Sequence, residues 1–462
     1  MSRLFIPVVL ASLFTACGGD DEEKKPEGCS VEAQTGCGAG LVCEQVEGGG
    51  QPACFAPVFV EGRVIKAADG KTGIANARVV ARDVNGAMAS RDVAISGVDG
   101  VYRLAFPATR KSDGAPAIGA FSLRADALGY ATFPSGLRVA LPVDTTAPVK
   151  AGDGSYVVKN GSTDVALDAV DPATLGILSG VIKASGSGGT LVVAGGASGI
   201  AGRDGTFTIF NVPTGSQEVR GYMQGLQLKP ATATVNAGAE TKGVELLADA
   251  GALGSVSGDI NFADAAGAST TSIVLVVEST FINQLGRGEV PKGLRTTVAN
   301  GKYSFTGVPN GNYVVLAAFE NDGLVRDPDT SIGGTATQKI AVANGAVTVP
   351  GFKVTGALAV TSPGASGPEG VTGKPTFTWA DDSSEEGFEV YVFDTFGKEI
   401  WKKTDIASVS GAKTVSQAYE GPDLVPGLYY QFRAYSWKSD GKSGGRTRIS
   451  MTEDLKGVFF AK

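Results

Sequence analysis

Three copies of one phrase, each starting with Asp-Gly or Asn-Gly, set the main constraint on how this chain folds. The copies occupy residues 99–107, 204–215 and 300–311 of the 462-residue sequence. In each, the dipeptide supplies the positive φ of a tight hairpin turn, and the alternating aromatic and apolar residues after it form a half-buried strand. The copies start about 100 residues apart, which indicates a repeated module of β-sandwich size rather than a short solenoid repeat.

The rest of the sequence has the same β character. Short runs rich in β-branched residues, such as 77–83, 272–277 and 313–319, are separated by Gly, Pro, Asn and Asp. No long segment carries a capped apolar stripe of helical period. A hydrophobic content of 43% is enough to fill cores and argues against disorder. The sequence therefore predicts an all-β fold of tandem β-sandwich modules.

An opening strand with a single Gly precedes each phrase, at Gly62, Gly180 and Gly258. In the first copy, further strand-like segments follow at 73–79 and 121–130. This order resembles the carboxypeptidase regulatory-like module, a small transthyretin-like β-sandwich. The resemblance implies a fold rather than an activity, because that module is generally an accessory without catalytic residues. The implied modules are 57–172, 173–250 and 251–356.

The C-terminal segment, 357–462, has a different pattern. Phe377 and Trp379 lie on one face of a strand, and a later strand alternates through Tyr430. These residues resemble a fibronectin type III module. The resemblance makes Trp379 the core tryptophan and Tyr430 the corner tyrosine, whose hydroxyl bonds to the backbone of the preceding turn. Tyr429 then points to the opposite face, where we expect the loss of its hydroxyl to change stability little.

The N-terminus has the pattern of an export signal. An uncharged, largely apolar run covers 4–14; it is too short for a membrane-spanning helix, which needs about 20 residues, but it suits a signal peptide. The Thr-Ala-Cys that follows resembles the lipobox of bacterial lipoproteins. The resemblance implies a lipoprotein signal peptide over 1–16 and a lipid on Cys17, and Gly18 in place of Asp implies sorting to the outer membrane. Cleavage of an ordinary signal peptide near Ala16 is the alternative.

A charged tether over 17–28, with no apolar side chain to bury after its cysteine, leads to four further cysteines. These fall within 29–56 and, in an exported chain, predict a small disulfide-rich segment with two disulfides and three possible pairings. Their spacing is too wide for the Cys-x(2–4)-Cys pairs of a zinc site. The four residues are Cys29, Cys37, Cys43 and Cys54.

The composition excludes several classes of function. The sequence has no His, which excludes a Ser-His-Asp triad, a Cys-His dyad and a His-ligated metal site. A net charge of −7 gives no sign of the basic surface that binds nucleic acid. The acidic stretches 381–386 and 326–329 lack EF-hand spacing and are predicted to be solvated loops. We expect no enzyme activity, no cofactor and no metal.

The predicted function is that of a non-enzymatic lipoprotein of the cell envelope. Its modules would form a rod, a rigid spacer for adhesion or protein–protein interaction. Cys17 would anchor it in the outer membrane, on the periplasmic face or at the cell surface. The alternative is a carbohydrate-binding lipoprotein, for which Trp401 and Trp437 are the candidate sugar-stacking residues. A glycosidase would instead need two carboxylates facing each other in a cleft.

Replacing the candidate lipidation residue tests the anchor. In a Cys17→Ala variant, no thiol is available at this position to carry the acyl chains. The variant should appear as a soluble or uncleaved protein when cells are fractionated, whereas the parent protein partitions with the outer membrane. A processed variant that still fractionates as an integral membrane protein would show that Cys17 is not the anchor.

Overall fold

A computed structural model of the chain describes residues 28–83, 87–136, 140–262, 271–317, 324–325, 337–381, 385–408, 411, 413–441 and 444–462. These residues form β-sheets and contain no α-helix, which confirms the predicted all-β class. Four short 3-10 helices are present at Glu47–Gly49, Pro172–Thr174, Glu278–Thr280 and Asn283–Leu285. No helix in this part of the chain has the length and apolar character to cross a membrane. The predicted signal peptide, Cys17 and all of the tether but Gly28 lie outside the described residues.

The cysteine segment contributes two strands, and the first sandwich is formed by residues 58–167. Their strands are β1 Val42–Val46, β2 Gly50–Phe55, β3 Val58–Lys66, β4 Arg78–Arg82, β5 Ala94–Ile95, β6 Val101–Phe106, β7 Thr109–Arg110, β8 Pro116–Ala117, β9 Ser122–Asp126, β10 Val149–Lys150, β11 Tyr156–Val158 and β12 Val165–Leu167. One sheet has the order β10-β11-β3-β12, with β6 also paired to β3, and the other has the order β5-β4-β9.

The second sandwich covers 175–247 and the third covers 254–356. The strands of the second are β13 Leu175–Lys183, β14 Leu191–Ala194, β15 Ala197–Ile200, β16 Thr206–Pro213, β17 Gly215–Tyr222, β18 Ala231–Val235 and β19 Glu240–Leu247. Those of the third are β20 Gly254–Phe262, β21 Ser272–Val277, β22 Arg295–Thr297, β23 Lys302–Val308, β24 Gly311–Ala317, β25 Leu324–Val325, β26 Gln338–Val342 and β27 Ala346–Gly356. The sheet orders are β16-β13-β19 and β15-β14-β17-β18, then β23-β20-β27-β25 and β22-β21-β24-β26.

The fourth sandwich covers 360–461. Its strands are β28 Val360–Ser362, β29 Glu369–Val371, β30 Thr376–Ala380, β31 Gly387–Asp394, β32 Glu399–Ala407, β33 Thr414–Ala418, β34 Tyr429–Ser439, β35 Arg446–Met451 and β36 Val458–Ala461. The smaller sheet has the order β28-β30-β33. The larger has the order β29-β36-β34-β31-β32, with β35 also paired to β34.

In each of the first three sandwiches, the opening strand lies between the strand of the recurring phrase and a strand from later in the sequence. The phrase strand pairs with it antiparallel and the later strand pairs with it in parallel. The single Gly of the opening strand lies opposite a buried aromatic residue of the phrase. Gly180 faces Phe207, and a Cβ at Gly180 would meet both the Phe207 ring and the Val244 carbonyl. The equivalent pairs are Gly62 with Tyr102 and Gly258 with Tyr303.

The four cysteines pair as Cys29–Cys43 and Cys37–Cys54, with Cα separations of 5.7 and 5.5 Å. The two expected disulfides are therefore confirmed, and the structure selects one of the three possible pairings.

The cysteine segment packs on the first sandwich instead of standing apart from it. Its β1 pairs in parallel with β7 of that sandwich. Between them Glu44 is buried, and it accepts hydrogen bonds from Arg110 Nε at 2.5 Å and from Arg91 Nη2 at 2.9 Å. The segment and the first sandwich thus share a buried ion-pair cluster.

The fourth sandwich has the core residues that the sequence singled out. Trp379 and Phe377 are fully buried, and the Phe377 ring stacks on Phe432 with centroids 4.7 Å apart. The backbone N–H of Val425 donates to the Tyr430 hydroxyl at 2.8 Å. Tyr430 therefore bonds back to the turn before its strand, as predicted.

The prediction for Tyr429 is wrong. Its side chain does point to the opposite face of the strand, but the first sandwich covers that face, and Tyr429 is only 6% exposed. Its hydroxyl donates to Asp144 at 2.6 Å, and its ring packs with Leu141 and Val458. Burial and the bond to Asp144 raise the pKa of Tyr429. Strand alternation gives the direction of a side chain but not what lies in that direction.

The sandwiches do not form the rod that the sequence suggested. The fourth packs on the first through Tyr429 and Asp144. The second packs on the first through Asn211, whose amide nitrogen donates to the carbonyls of Ala127 and Tyr130 at 3.2 and 2.7 Å. Faces that would contact solvent in a rod are here buried between adjoining sandwiches. The described residues therefore form a packed body of four sandwiches.

The Tyr429 hydroxyl should couple the first and fourth sandwiches. In the full-length protein, Tyr429→Phe should cost about 1–3 kcal/mol of stability, because the buried Asp144 carboxylate loses a donor. A double-mutant cycle with Asp144→Asn, read by urea unfolding, measures the contact. Tyr430→Phe is the matched control: it should cost about 0.5–1.5 kcal/mol and be additive with Asp144→Asn. Zero coupling between Tyr429 and Asp144 would mean that the two sandwiches do not meet here.

Candidate functional site: a cleft between the second and third sandwiches

A buried guanidinium fixes how the first three sandwiches meet. Arg124 lies on β9 of the first sandwich and is fully buried. It donates to Asp126 at 2.8 and 2.9 Å, to the Ser198 carbonyl of the second sandwich at 2.9 Å, and to Glu289 of the third at 2.6 Å. Arg82 also pairs with Glu289, at 2.7 Å. One planar side chain with several donors thus bonds to all three sandwiches.

At this junction Arg124 and Glu289 each stabilise the charged form of the other. Burial by itself would raise the pKa of Glu289, but Arg124 and Arg82 outweigh it and lower the pKa to about 2. Burial would likewise lower the pKa of Arg124, and Asp126 and Glu289 raise it instead. Removing one partner from such a cluster leaves a buried charge poorly compensated, which is strongly destabilising.

The second and third sandwiches also enclose an open cleft of about 690 Å³. A smaller hollow of about 430 Å³ shares part of this lining and continues the cleft along the second sandwich. The second sandwich lines the cleft with Glu218, Arg220 and Tyr222. The principal polar residues of the third are Glu278, Ser279, Asn310, Asn312 and Lys339.

On the second sandwich, β17 supplies the wall of the cleft. Glu218, Arg220 and Tyr222 point the same way because side chains alternate along a strand. The Arg220 guanidinium donates to both carboxylate oxygens of Glu218, from Nε to Oε1 and from Nη2 to Oε2 at 3.1 Å. These hydrogen bonds raise the pKa of Arg220. Tyr222 is buried, and its ring meets Tyr313 edge-on with centroids 5.9 Å apart. The wall is therefore charged at its exposed part and aromatic where it is buried.

On the third sandwich, Lys339 Nζ pairs with Glu278 at 3.0 Å. The Asn310 Nδ2 donates to Asn344 Oδ1 at 2.6 Å, and the Asn344 N–H donates to Asn310 Oδ1 at 2.8 Å. The backbone N–H of Asn310 donates across the junction to Gln227 Oε1 of the second sandwich at 2.9 Å. This wall is thus tied to the facing sandwich by a direct hydrogen bond.

The chemistry of the cleft is that of polar binding. It carries two carboxylates, Glu218 and Glu278, but each is partly exposed and bound to a cation. Each carboxylate is thus paired with a basic side chain of its own sandwich. The two ion pairs can open to bind a charged partner. The Asn310 and Asn312 amides, which also line the cleft, can form hydrogen bonds with a polar one.

The sequence contains no motif that predicts this cleft. Its cations, Arg220 and Lys339, belong to different repeats and look like ordinary solvent-facing residues. One local signal is the pair of charged residues, Glu218 and Arg220, in a strand whose other face is buried. This pattern predicts a polar sheet face, but it does not predict that the third sandwich lies opposite that face.

The two predicted sugar-stacking residues are used in packing within the fourth sandwich. Trp401 lies at the edge of the core and meets Tyr419 edge-on, with centroids 5.2 Å apart. The Arg446 guanidinium covers the Trp437 ring, 4.0 Å from its centroid. Both tryptophans are half-buried, and across the described ranges every aromatic side chain is buried or half-buried.

The other sequence candidates provide no metal centre in the part of the protein that the structure describes. The sulfur atoms of Cys29, Cys37 and Cys54 lie within 4.8 Å of one another, but all three are in disulfides and cannot act as thiolate ligands. The acidic stretch 381–386 is described only at 381 and 385–386, and 326–329 lies outside the described residues.

Comparisons with protein-family models and with curated proteins give no match. Similar solved structures include the TIE protein of Bacillus anthracis, at 11% identity over 95% of this chain and 73% of that chain, with a TM-score of 0.17. A DUF3823 family protein from Parabacteroides merdae matches at 10% identity over 46% of this chain and 100% of that one, with a TM-score of 0.20. The major pilin subunit of Bacillus cereus matches at 11% identity over 64% and 99%, with a TM-score of 0.17. At these identities and TM-scores the likenesses assign no function.

Glu289→Gln should loosen the junction that positions the cleft. It removes the charge that faces Arg124 and Arg82, and should cost up to about 3–5 kcal/mol in urea unfolding. The matched control is Asp259→Asn in the exposed pair with Lys302, which should cost about 0–1 kcal/mol.

The same variant should change the acid dependence of stability. The pKa of Glu289 is lowered from 4.5 to about 2. Its contribution is therefore fully present above pH 4.5 and is lost as the pH falls through about 2. Glu289→Gln should flatten the decline of stability in that window, and equal effects of the Glu289 and Asp259 substitutions would contradict the assignment.

Proposed function

We propose that this protein is a non-enzymatic, lipid-anchored binding protein of the bacterial outer membrane, a rigid support for adhesion or protein–protein interaction. The observation that carries the proposal is the set of buried bonds from Arg124 to Asp126, Ser198 and Glu289, which join three sandwiches. Such bonds hold the sandwiches at fixed angles, so a binding surface keeps its shape away from the membrane. Recognition residues placed on a rigid scaffold are a common arrangement.

The membrane end of the proposal depends on the N-terminal sequence. Cys17 would carry the lipid, and a tether of about 11 residues, some 35 Å when extended, would lead to the folded body. The disulfides Cys29–Cys43 and Cys37–Cys54 support export, because disulfides persist in oxidising compartments.

We infer that the three repeats are carboxypeptidase regulatory-like sandwiches and that the fourth is fibronectin type III-like. Their common strand pairing around Gly62, Gly180 and Gly258 supports the first assignment. The bond from the Val425 N–H to Tyr430 supports the second. The carboxypeptidase regulatory-like module is generally an accessory without catalytic residues, in keeping with a binding function.

The cleft between the second and third sandwiches is the proposed binding site. Arg220 and Lys339 can bind acidic groups, and the Asn310 and Asn312 amides can bind backbone or hydroxyl groups. These groups suit a protein segment with charged side chains. A carbohydrate can form hydrogen bonds with the same polar groups through its hydroxyls.

Cells that produce the full-length protein test this proposal. Adhesion to matrix proteins and to neighbouring cells is compared for the parent protein, for cells without it and for the Arg220→Ala/Lys339→Ala variant. We expect no adhesion without the protein. The variant should bind at least about tenfold more weakly than the parent, because two charged contacts are lost. Lys183→Ala, which breaks an exposed ion pair with Glu245 on the second sandwich, is the matched control and should bind as the parent does.

Other outcomes decide between the alternatives. Selective binding on a glycan array that Arg220→Ala/Lys339→Ala abolishes would identify a carbohydrate-binding protein. Adhesion that persists in cells without the protein would contradict the proposal, as would substrate turnover by the purified protein.

A further inference from the structure

Four Asn-Gly pairs lie in the described residues, and they differ in how the asparagine side chain is held. Asn310 and Asn344 bond to each other, and Asn160 Nδ2 donates to the Asp144 carbonyl at 2.8 Å. Asn300 is exposed, and its side chain has no hydrogen-bond partner among the described residues. The Asn-Gly pair of the third recurring phrase is therefore the least restrained of the four.

The turn around Asn300 also differs from the equivalent turns of the other two repeats. In the first repeat, only Gly100 has a positive φ, of 81°, and the Asp99 carboxylate accepts from the Val101 N–H at 3.0 Å. In the third, Asn300 and Gly301 both have positive φ, of 52° and 72°. This is a two-residue turn of the type I′ class, in which asparagine takes the left-handed position.

Few bonds close this turn. Ala299 and Lys302 exchange two backbone hydrogen bonds, of 2.9 and 3.0 Å, and the Gly301 carbonyl accepts from the Ile260 N–H at 2.7 Å. The Gly301 N–H makes no hydrogen bond among the described residues. The nitrogen that follows Asn300 is therefore available, and the turn itself is closed by only these three backbone bonds.

We propose that Asn300 is a site of spontaneous deamidation. The Gly301 nitrogen, unobstructed because glycine has no Cβ, forms a bond to Asn300 Cγ, the bond from Cγ to the amide nitrogen Nδ2 breaks, and ammonia leaves with the displaced proton. Water then opens the five-membered imide at one of its two carbonyls and leaves either aspartate or isoaspartate. Water is the one co-reactant, and no oxidant is required.

The modification changes both charge and backbone at this turn. Either product adds one negative charge beside the exposed Lys302–Asp259 pair. Isoaspartate also adds one carbon to the backbone of a two-residue turn. That turn connects β22 and β23, which belong to the two different sheets of the third sandwich. The product should therefore loosen the link between those sheets, independently of whether the cleft binds a partner.

Incubation of the full-length protein at mildly alkaline pH, with peptide mapping and isoaspartyl methyltransferase labelling, tests the proposal. Asn300 should convert about fivefold or more faster than Asn310 or Asn344, because a side-chain hydrogen bond of about 1 kcal/mol must first break at those residues. In denaturant the difference should disappear, since all the pairs have the sequence Asn-Gly.

A matched variant makes the test independent of sequence context. Asn310→Ala removes both bonds to Asn344, and it should speed the deamidation of Asn344 severalfold while leaving Asn300 unchanged. Conversion of Asn300 that is no faster than that of Asn344 in the folded parent would overturn the proposal. So would a rate difference that persists in denaturant, because it would then come from sequence alone.

Discussion

The placement of the first three sandwiches depends on one buried guanidinium, that of Arg124. Apolar burial drives the sandwiches together but has no direction, whereas the planar Arg124 group satisfies Asp126, Ser198 and Glu289 only at particular angles. Removing these charges from water costs free energy, and only complete pairing offsets that cost. The cluster therefore acts mainly on orientation, because any other arrangement of the sandwiches would leave a charge buried without its partner.

The cleft follows from that orientation. Its walls come from β17 of the second sandwich and from residues of the third. Arg220 and Lys339 line the same cleft because the two sandwiches are held together at the Arg124 junction and by the Asn310–Gln227 bond. A binding site between modules is therefore as rigid as the junctions beside it.

The first three sandwiches share one packing arrangement although their sequences differ. Each opening strand leaves out a side chain at its Gly so that an aromatic ring from the phrase can lie over the backbone. The turn that starts the phrase is free to vary, since a three-residue loop with Asp99 and a two-residue turn with Asn300 both return the strand to the same partner. The constraint lies in the Gly–aromatic pair more than in the turn.

By itself, the sequence determined the all-β class, the presence of two disulfides, the buried Trp379 and the corner contact of Tyr430. Each depends on local information, such as a period of two, the chemistry of a turn or the number of cysteines. Only the tertiary structure decided that Cys29 pairs with Cys43, that Tyr429 reaches Asp144, and that Arg124 and Arg220 lie at junctions. The physical reason is that alternation along a strand tells which face a side chain occupies. Whether that face meets water or another sandwich depends on segments far away in the sequence.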